Sequence, residues 1–164
     1  MKILMVCLGN ICRSPIAQGI MTSKIKEKKL NWEVDSAGTS GWHNGERPDP
    51  RAVLACKSKG IDIADQISRT LISDDLDYYD LILAMDSANY QDIIKMCSSE
   101  PQKLKVKLIM NFKHPGNNMA VPDPYYDGKY EEYEAKKKDE EQDVIIEKKK
   151  DKAINNTYLM QKEK

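Results

Sequence analysis

Short apolar runs alternate with amphipathic segments along the first 110 residues of the chain. The first run, Lys2–Cys7, is suited to a buried parallel strand because its apolar residues are nearly continuous. Ser14 and Pro15 then predict the start of a helix, since serine is a favoured N-cap and proline a favoured first helical residue. One face of this helix is apolar, because large apolar side chains recur at helical spacing. They are Ile16, Ile20, Met21 and Ile25.

Three further apolar runs predict strands, and segments with helical features separate them. We place the second strand at Trp32–Ser36, the third at Asp80–Met85 and the fourth at Lys105–Met110. Helices are expected from about Arg51 to Gly60 and over Ser87–Cys97. Strands that alternate with helices indicate right-handed crossovers and an open parallel sheet. Such sheets bind ligands beyond the carboxyl ends of their strands, and the turn after the first strand lies there.

The chain changes character after Lys129. Lysine and acidic residues dominate 129–164 in equal number, and Lys137 and Glu140 interrupt the apolar stripe that would run from Tyr133 to Val144. We therefore expect a highly charged, frayed and solvated helical segment at the end of a single domain that spans residues 1–164. A tail that binds a partner is the alternative.

Length and charge narrow the class of protein. A chain of 164 residues is the size of one domain with one core. Its 26 basic and 26 acidic residues balance, so no overall field attracts nucleic acid or a membrane surface, and we expect neither as a partner. The apolar run at the N-terminus is too short for a signal peptide or a membrane span, which predicts a cytoplasmic protein.

The cysteines indicate thiol chemistry rather than disulfides. A cytoplasmic domain keeps its thiols reduced, and we expect this of Cys7, Cys12, Cys56 and Cys97. No Cys-x-x-Cys pair is present, and the two histidines lie far apart in the sequence. We therefore expect no metal site and no cofactor.

The segment from Cys7 to Ser14 has the features of an anion-binding loop. It reads Cys-Leu-Gly-Asn-Ile-Cys-Arg-Ser and joins the first strand to the first helix, where main-chain N–H groups can converge. These amides and the Arg13 charge would stabilise a Cys7 thiolate, and Ser14 can donate a hydrogen bond to the sulfur. The planar fork of Arg13 suits two phosphoryl oxygens. The cradle would be lined by Leu8, Gly9, Asn10, Ile11 and Cys12.

A proline-stiffened loop supplies a candidate proton donor. Asp123 lies between Pro122 and Pro124, and Tyr125 and Tyr126 follow. An acid here could protonate a leaving group and then act as base for the water that hydrolyses a thiophosphate intermediate. The two tyrosines could wall a slot for a phenyl ring.

Four motifs together resemble the low-molecular-weight protein tyrosine phosphatases, in particular their bacterial members. Their order and spacing agree with that family over about residues 1–130. The first motif is the most specific, because other Cys-x5-Arg phosphatases lack its asparagine and second cysteine. The motifs are Cys7–Pro15, Asp35–Thr39, Ala84–Asp86 and Asp123–Tyr126.

The resemblance implies a role for each motif residue. Cys7 is the nucleophile, Arg13 clamps the phosphate and Asp123 is the general acid and base. Further residues order the loop, namely Asn10, Ser14 and Ser36. Variable residues shape the pocket rim, namely Trp42, His43, Tyr125 and Tyr126.

The resemblance also implies redox regulation and shows two departures. Cys12 matches the family cysteine that forms a reversible disulfide with Cys7 under peroxide. Gln66 stands where many relatives carry a histidine that supports the loop, and the charged stretch 129–164 replaces the expected amphipathic final helix.

These observations predict one fold and one activity. The fold is α/β: an open four-stranded parallel sheet with helices on both faces, flavodoxin-like, in strand order 2-1-3-4. The activity is hydrolysis of phosphotyrosine through a cysteinyl phosphate, without a metal. The expected partners are a phosphotyrosine-containing protein and, as competitive ligands, inorganic phosphate or other oxyanions. We expect a monomer.

Two other functions remain open at this point. Arsenate reductases with the same loop place two cysteines close together after the third strand, where this chain has Met85, Asp86 and the single Cys97. A catalytically silent phosphate-binding module would lack the nucleophile, the clamp or the acid, and all three are present. Nucleotide hydrolysis of the P-loop type is excluded for want of Gly-Lys-Ser/Thr.

Overall fold

The sheet confirms the predicted fold. A computed structural model describes residues 1–127 and 143–150, and within them four parallel strands pair in the order β2-β1-β3-β4. Each predicted strand is present, although the last three differ from the prediction by one or two residues at each end. The strands are β1 (Lys2–Cys7), β2 (Glu33–Gly38), β3 (Leu81–Ala84) and β4 (Val106–Leu108).

Helices connect the strands as right-handed crossovers require, and two of them were not predicted. The helices α3 and α5 have six residues each, too few to show a helical period in the sequence. The elements are α1 (Arg13–Glu27), α2 (Pro50–Lys57), α3 (Ser73–Tyr78), α4 (Ser87–Met96), α5 (Glu100–Lys105), a 3₁₀ turn (Ile109–Phe112) and α6 (Pro124–Asp127). Residues 143–150 are also helical.

The central strand β1 is apolar on both faces and organises the core. Ile3 and Met5 point to one face, where they pack with residues of α1. Leu4 and Val6 point to the other, where they pack with residues of α3 and α4. Because side chains alternate along a strand, a continuous apolar run buries itself between two layers of helices. The helices therefore cover both faces of the sheet, as predicted.

The start of α1 differs from the prediction. Ser14 was expected to be the N-cap, but the helix begins at Arg13, and Cys12 stands at the N-cap with no side-chain cap. The Ser14 hydroxyl lies 3.0 Å from Cys7 Sγ. Because that hydroxyl contacts the sulfur, it does not cap the helix. Pro15 lies in the first turn, where its missing N–H removes no hydrogen bond.

Residues 143–150 pack on the core instead of lying solvated. Ile145 and Ile146 are fully buried against the same cluster as Ile3 and Met5. Lys24 of α1 donates a hydrogen bond to Asp143 at 2.9 Å. The expectation of a frayed, solvated helix therefore fails for these residues, because two adjacent isoleucines reach the sheet. For 128–142 and 151–164 that expectation falls outside the described residues.

No helix within the described residues is both long and apolar enough to cross a membrane.

The packing of residues 143–150 predicts a stability effect at Ile146. We expect Ile146→Ala to lower the free energy of unfolding by about 2–5 kcal/mol, because it removes a fully buried side chain and leaves a cavity. The measurement is urea unfolding followed by circular dichroism. Glu147→Ala, on the exposed side of the same segment, is the control and should change stability by no more than about 0.5 kcal/mol. Equal stability of the two variants would show that this segment does not pack on the core.

Candidate active site

The loop after β1 turns its carbonyl groups outward. Ser40 donates to the Leu8 carbonyl through its N–H at 2.9 Å, Ser68 donates to the Gly9 carbonyl through its hydroxyl at 3.1 Å, and the Asp49 N–H donates to the Ile11 carbonyl at 2.8 Å. In a planar trans peptide the N–H points away from the carbonyl. The N–H groups that follow these carbonyls, on Gly9, Asn10 and Cys12, therefore face the inside of the loop.

The sulfur of Cys7 lies at the centre of this loop. Cys7 ends the central strand and is buried. The Asn10 N–H donates to its Sγ at 3.3 Å, and the Ser14 hydroxyl lies 3.0 Å from the same atom. Both groups can donate a hydrogen bond to the sulfur. The structure thus brings together the residues of the predicted cradle.

Asn10 holds the loop through its side chain. Its φ is +54°, in the left-handed region that asparagine tolerates better than most residues. The buried side-chain amide donates to Ser14 Oγ and to Ser36 Oγ, both at 2.9 Å. Ser36, in β2, donates in turn to Gln18 Oε1 of α1 at 2.6 Å. The loop is thereby tied to both neighbouring elements.

Arg13 is buried between two carboxylates. Its Nη1 lies 2.7 Å from Asp86 Oδ2, and its Nη2 lies 3.0 Å from Asp123 Oδ2. Burial by itself would lower the pKa of Arg13. The hydrogen bond to Asp86 and the negative charges of Cys7 and Asp123 outweigh that effect, so the pKa lies above its usual value. The guanidinium is therefore a permanent positive charge, held in one orientation at the base of the pocket.

Asp123 lies at the mouth of the same pocket. Its Oδ1 accepts a hydrogen bond from the Tyr125 N–H at 3.1 Å. Aromatic side chains form the rim, and Trp42 is 76% exposed and Tyr125 is 41% exposed. The Arg51 guanidinium lies 5.5 Å from the centre of the Tyr125 ring. The pocket is lined by Cys7, Leu8, Gly9, Asn10, Ile11, Cys12, Arg13, Trp42, His43, Asp123 and Tyr125.

Tyr126 and Gln66 stand apart from the pocket lining described above. The side chain of Tyr126 lies outside the described residues, so its role stays a prediction. Gln66 donates to the Pro15 carbonyl at 3.1 Å and so supports the first turn of α1. In the part of the chain that the structure describes, no cluster of three or more His, Cys, Asp or Glu side chains could hold a metal ion.

Sequence reasoning missed residues that support the site from outside the loop. Asp86 belongs to one of the four motifs, but no role was predicted for it. A carboxylate just past the end of a parallel strand is nevertheless a usual sign of a site residue. Ser68 and Arg69 lie in an irregular segment whose sequence shows no period or turn signal. They contact the loop through single hydrogen bonds to Gly9 and Asn10.

Comparison with known proteins agrees with this geometry. The sequence model of the family described as low molecular weight phosphotyrosine protein phosphatase matches residues 2–152. A member from Schizosaccharomyces pombe is 38% identical over 130 residues, which are 77% of this chain and 82% of the relative.

Two solved structures illustrate the structural likeness. The protein tyrosine phosphatase of Entamoeba histolytica, with Hepes in its active site, superposes with a TM-score of 0.84 at 35% identity and covers 93% of this chain and 99% of its own. The YwlE arginine phosphatase was solved as a mutant with a phosphorylated active-site serine. Its TM-score is 0.80 at 28% identity, and the match covers 92% of this chain and 96% of the YwlE chain. With the match over residues 2–152, the chain belongs to the low molecular weight phosphotyrosine protein phosphatase family.

Proposed function

We propose that this protein hydrolyses phosphotyrosine through a phosphocysteine formed on Cys7, with Arg13 as the phosphate clamp and Asp123 as the general acid and base. One observation carries the proposal. The Cys7 sulfur receives the Asn10 N–H at the centre of a loop whose N–H groups face inward, and Arg13 and Asp123 border the same pocket. These are the nucleophile, the anion site and the proton donor that phosphomonoester hydrolysis requires.

Phosphate binding comes first. The inward N–H groups of the loop can each donate to a phosphoryl oxygen, and the Arg13 fork can hold two of them. Asp86 keeps the Arg13 side chain extended through its 2.7 Å contact with Nη1. The phosphorus is thereby placed in line with the Cys7 sulfur, and positioning of this kind accounts for a large part of catalysis in phosphoryl transfer.

The first chemical step transfers the phosphoryl group to sulfur. The Cys7 thiolate attacks phosphorus, the bond from phosphorus to the phenolic oxygen breaks, and protonated Asp123 gives its proton to the departing oxygen. Asp123 pairs with Arg13 at 3.0 Å. A phosphate dianion in the pocket would compete for that guanidinium and so release the Asp123 carboxyl group to contact the leaving oxygen.

The second step regenerates the enzyme. Asp123, now a carboxylate, removes a proton from a water molecule, whose oxygen attacks phosphorus. The sulfur–phosphorus bond breaks, Cys7 leaves as a thiolate, and inorganic phosphate is released. The donors at the sulfur, the Asn10 N–H and the Ser14 hydroxyl, stabilise the thiolate as it departs.

The pocket rim supports an aryl substrate. Trp42, His43 and Tyr125 stand around the entrance, and Ile11 adds an apolar surface to the lining. Aromatic walls favour a phenyl ring over the short polar stem of phosphoserine. Phosphoarginine is the relevant competitor, because the related YwlE and DARP structures are described as arginine phosphatases. The proposed partner is accordingly a phosphotyrosine-containing protein, with inorganic phosphate as a competitive ligand.

Location, assembly and regulation are further proposals. We propose a cytoplasmic monomer, in keeping with the equal numbers of basic and acidic residues. Cys7 and Cys12 stand as thiols on the same loop, at its start and just before Arg13. Hydrogen peroxide would oxidise the Cys7 thiol to a sulfenic acid and be reduced to water. The Cys12 thiol would then attack the sulfenic sulfur, which forms a disulfide, releases a second water and protects the nucleophile from further oxidation.

Arsenate reduction is not favoured by the position of Cys97. The residue ends α4, its thiol donates to the Ile93 carbonyl at 3.4 Å, and it packs with the cluster on one face of the sheet. Cys7 packs with the cluster on the opposite face. A thiol relay between the two would have to cross the sheet.

The nucleophile is tested by Cys7→Ser. We expect kcat for a phosphotyrosine peptide to fall by about 10⁴-fold or more, since serine is a far weaker nucleophile. Inorganic phosphate should still bind, because the main-chain cradle and Arg13 remain. Steady-state hydrolysis of phosphotyrosine, phosphoserine and phosphoarginine substrates gives the reaction class and the specificity together.

The matched control for this variant is Cys97→Ser, which changes a half-buried thiol outside the site and should retain activity. Full activity of Cys7→Ser would refute the mechanism. A preference for phosphoarginine would keep the mechanism and change the substrate.

The proton donor is tested by Asp123→Asn across a series of aryl phosphates. We expect kcat to fall by about 10²–10⁴-fold for poor leaving groups and much less for good ones, because only a poor leaving group needs the proton. The measurement is the slope of log kcat against the pKa of the leaving phenol, which should steepen in the variant. Asp65→Asn, at a nearly fully exposed carboxylate, is the control. A uniform loss across the series would assign Asp123 a different role.

A further inference from the structure

We propose that Arg69 is a positioning residue for the phosphate-binding loop. Its side chain is held between Asp35 and Asp75, and this keeps its backbone N–H on Asn10 and so maintains the loop in the phosphate-binding conformation. The proposal rests on the proposed function, since it concerns the same site, and it assigns a role to a residue outside the loop and the pocket.

The contact begins at the Asn10 side chain. Asn10 Oδ1 accepts a hydrogen bond from the Arg69 N–H at 2.9 Å. The amide nitrogen of the same side chain donates to Ser14 Oγ and Ser36 Oγ. An amide side chain has one oxygen and one nitrogen, so the oxygen contact fixes which way the nitrogen points. Loss of the Arg69 N–H would release the orientation of the group that holds Ser14 beside the sulfur.

The residue before Arg69 fixes a second point of the loop. The Ser68 hydroxyl donates to the Gly9 carbonyl at 3.1 Å. That carbonyl belongs to the same planar peptide as the Asn10 N–H, which donates to Cys7 Sγ at 3.3 Å. A shift of the segment around residue 69 would therefore rotate the peptide that binds the sulfur as well as the Asn10 side chain.

The segment that carries these two contacts has little regular structure of its own. A single parallel bridge joins Thr70 to Gly38 at the end of β2. The Gly38 N–H donates to the Arg69 carbonyl, and the Leu71 N–H donates to the Gly38 carbonyl, both at 2.8 Å. The Ser68 N–H also donates to the Glu46 carbonyl at 2.8 Å, and the Thr70 N–H donates to Asn44 Oδ1 at 3.0 Å. The Arg69 side chain adds a link from this stretch to α3 and β2.

The Arg69 side chain is bound on two sides. Its Nη1 and Nη2 donate to the two oxygens of Asp75 at 2.9 and 3.1 Å, and its Nε donates to Asp35 Oδ2 at 3.0 Å. Asp75 is buried and also accepts the Ile72 N–H at the start of α3. Asp35 also accepts the Tyr79 hydroxyl at 3.2 Å. Each carboxylate is therefore itself anchored, and a lysine could not make this two-sided fork contact.

The Arg69 guanidinium keeps its charge near neutral pH. Burial by itself would lower the pKa of Arg69, but the hydrogen bonds to Asp75 and the charge of Asp35 raise it above its usual value. Burial, with the charge of Asp35, also raises the pKa of Tyr79 to about 12. Arg69 and Tyr79 therefore keep their protons near neutral pH. A change in the phosphate-binding loop of an Arg69 variant would then reflect altered geometry and not a titration of these groups.

The proposal is tested with Arg69→Met, Arg69→Lys and the control Arg47→Met. Arg47 also pairs with a carboxylate, Asp65, but both side chains are largely exposed and do not contact the loop. Two readouts need no turnover: the rate at which iodoacetamide alkylates Cys7 at about pH 6, followed by peptide mapping, and the protection that inorganic phosphate gives against it.

For Arg69→Met we expect alkylation of Cys7 to be about tenfold slower and phosphate binding about tenfold weaker. Each tenfold change corresponds to a loss of roughly 1.4 kcal/mol in the free energy of activation or of binding. Arg69→Lys should lie between this variant and wild type, and Arg47→Met should match wild type within about twofold. Wild-type alkylation and phosphate protection in folded Arg69→Met would overturn the proposal. If Arg69→Met does not fold, Arg69→Lys decides by the same criterion.

A double-mutant cycle separates positioning from general destabilisation. If Arg69 acts through Asn10, Arg69→Met should add little to the loss of phosphate protection in an Asn10→Ala background. Additive losses would contradict the proposal. Failure of the proposed function would appear differently, as no hydrolysis of phosphotyrosine by wild type, and would leave these binding and alkylation results interpretable.

Discussion

The site depends on one geometric constraint, which is that a short turn must aim the Asn10 N–H at the Cys7 sulfur and keep neighbouring N–H groups inside the loop. Such a turn cannot hold itself, because its carbonyls then point outward and need partners. Here the partners come from three distant parts of the chain, namely Ser40, Asp49 and Ser68. Asn10 accepts the left-handed backbone that the turn requires and ties it to β2 and α1. The strand, the helix and the surrounding loops therefore stabilise one backbone conformation, and the chemistry follows from it.

Charge is balanced around that turn. Arg13 is buried with Asp86 and Asp123 on either side, so its charge is compensated within the protein. The two carboxylates differ in setting, because Asp86 caps α4 through the Asn89 N–H and is fixed, whereas Asp123 lies on a proline-flanked loop at the pocket mouth. Asp86 is suited to orienting the guanidinium and Asp123 to exchanging a proton. Arg69 forms a second ionic cluster, with Asp35 and Asp75, and its N–H donates to Asn10 Oδ1.

Much of this could be predicted from sequence, for reasons that particular residues make clear. The run Lys2–Cys7 is apolar on both sides, which indicates a central parallel strand and places Cys7 at its carboxyl end. Arg13 and Asp123 were predicted because their neighbours form motifs, and both line the pocket that contains Cys7. Arg69 was not found, since its contact with Asn10 is a backbone hydrogen bond that any residue can donate. Ser14 was predicted as the N-cap because local residue preference takes no account of the Cys7 sulfur, which lies seven residues earlier. The burial of Ile145 and Ile146 was not predicted because charged residues surround them in the sequence.

The most direct test is to trap the covalent intermediate. Wild-type protein turning over an aryl phosphate with a good leaving group would be quenched in acid and digested, and its peptides would be analysed by mass spectrometry. If the amides and Arg13 hold phosphate against the sulfur, a phosphoryl group will be found on Cys7. Phosphate on another residue, or an unmodified Cys7 during rapid turnover, would contradict that arrangement.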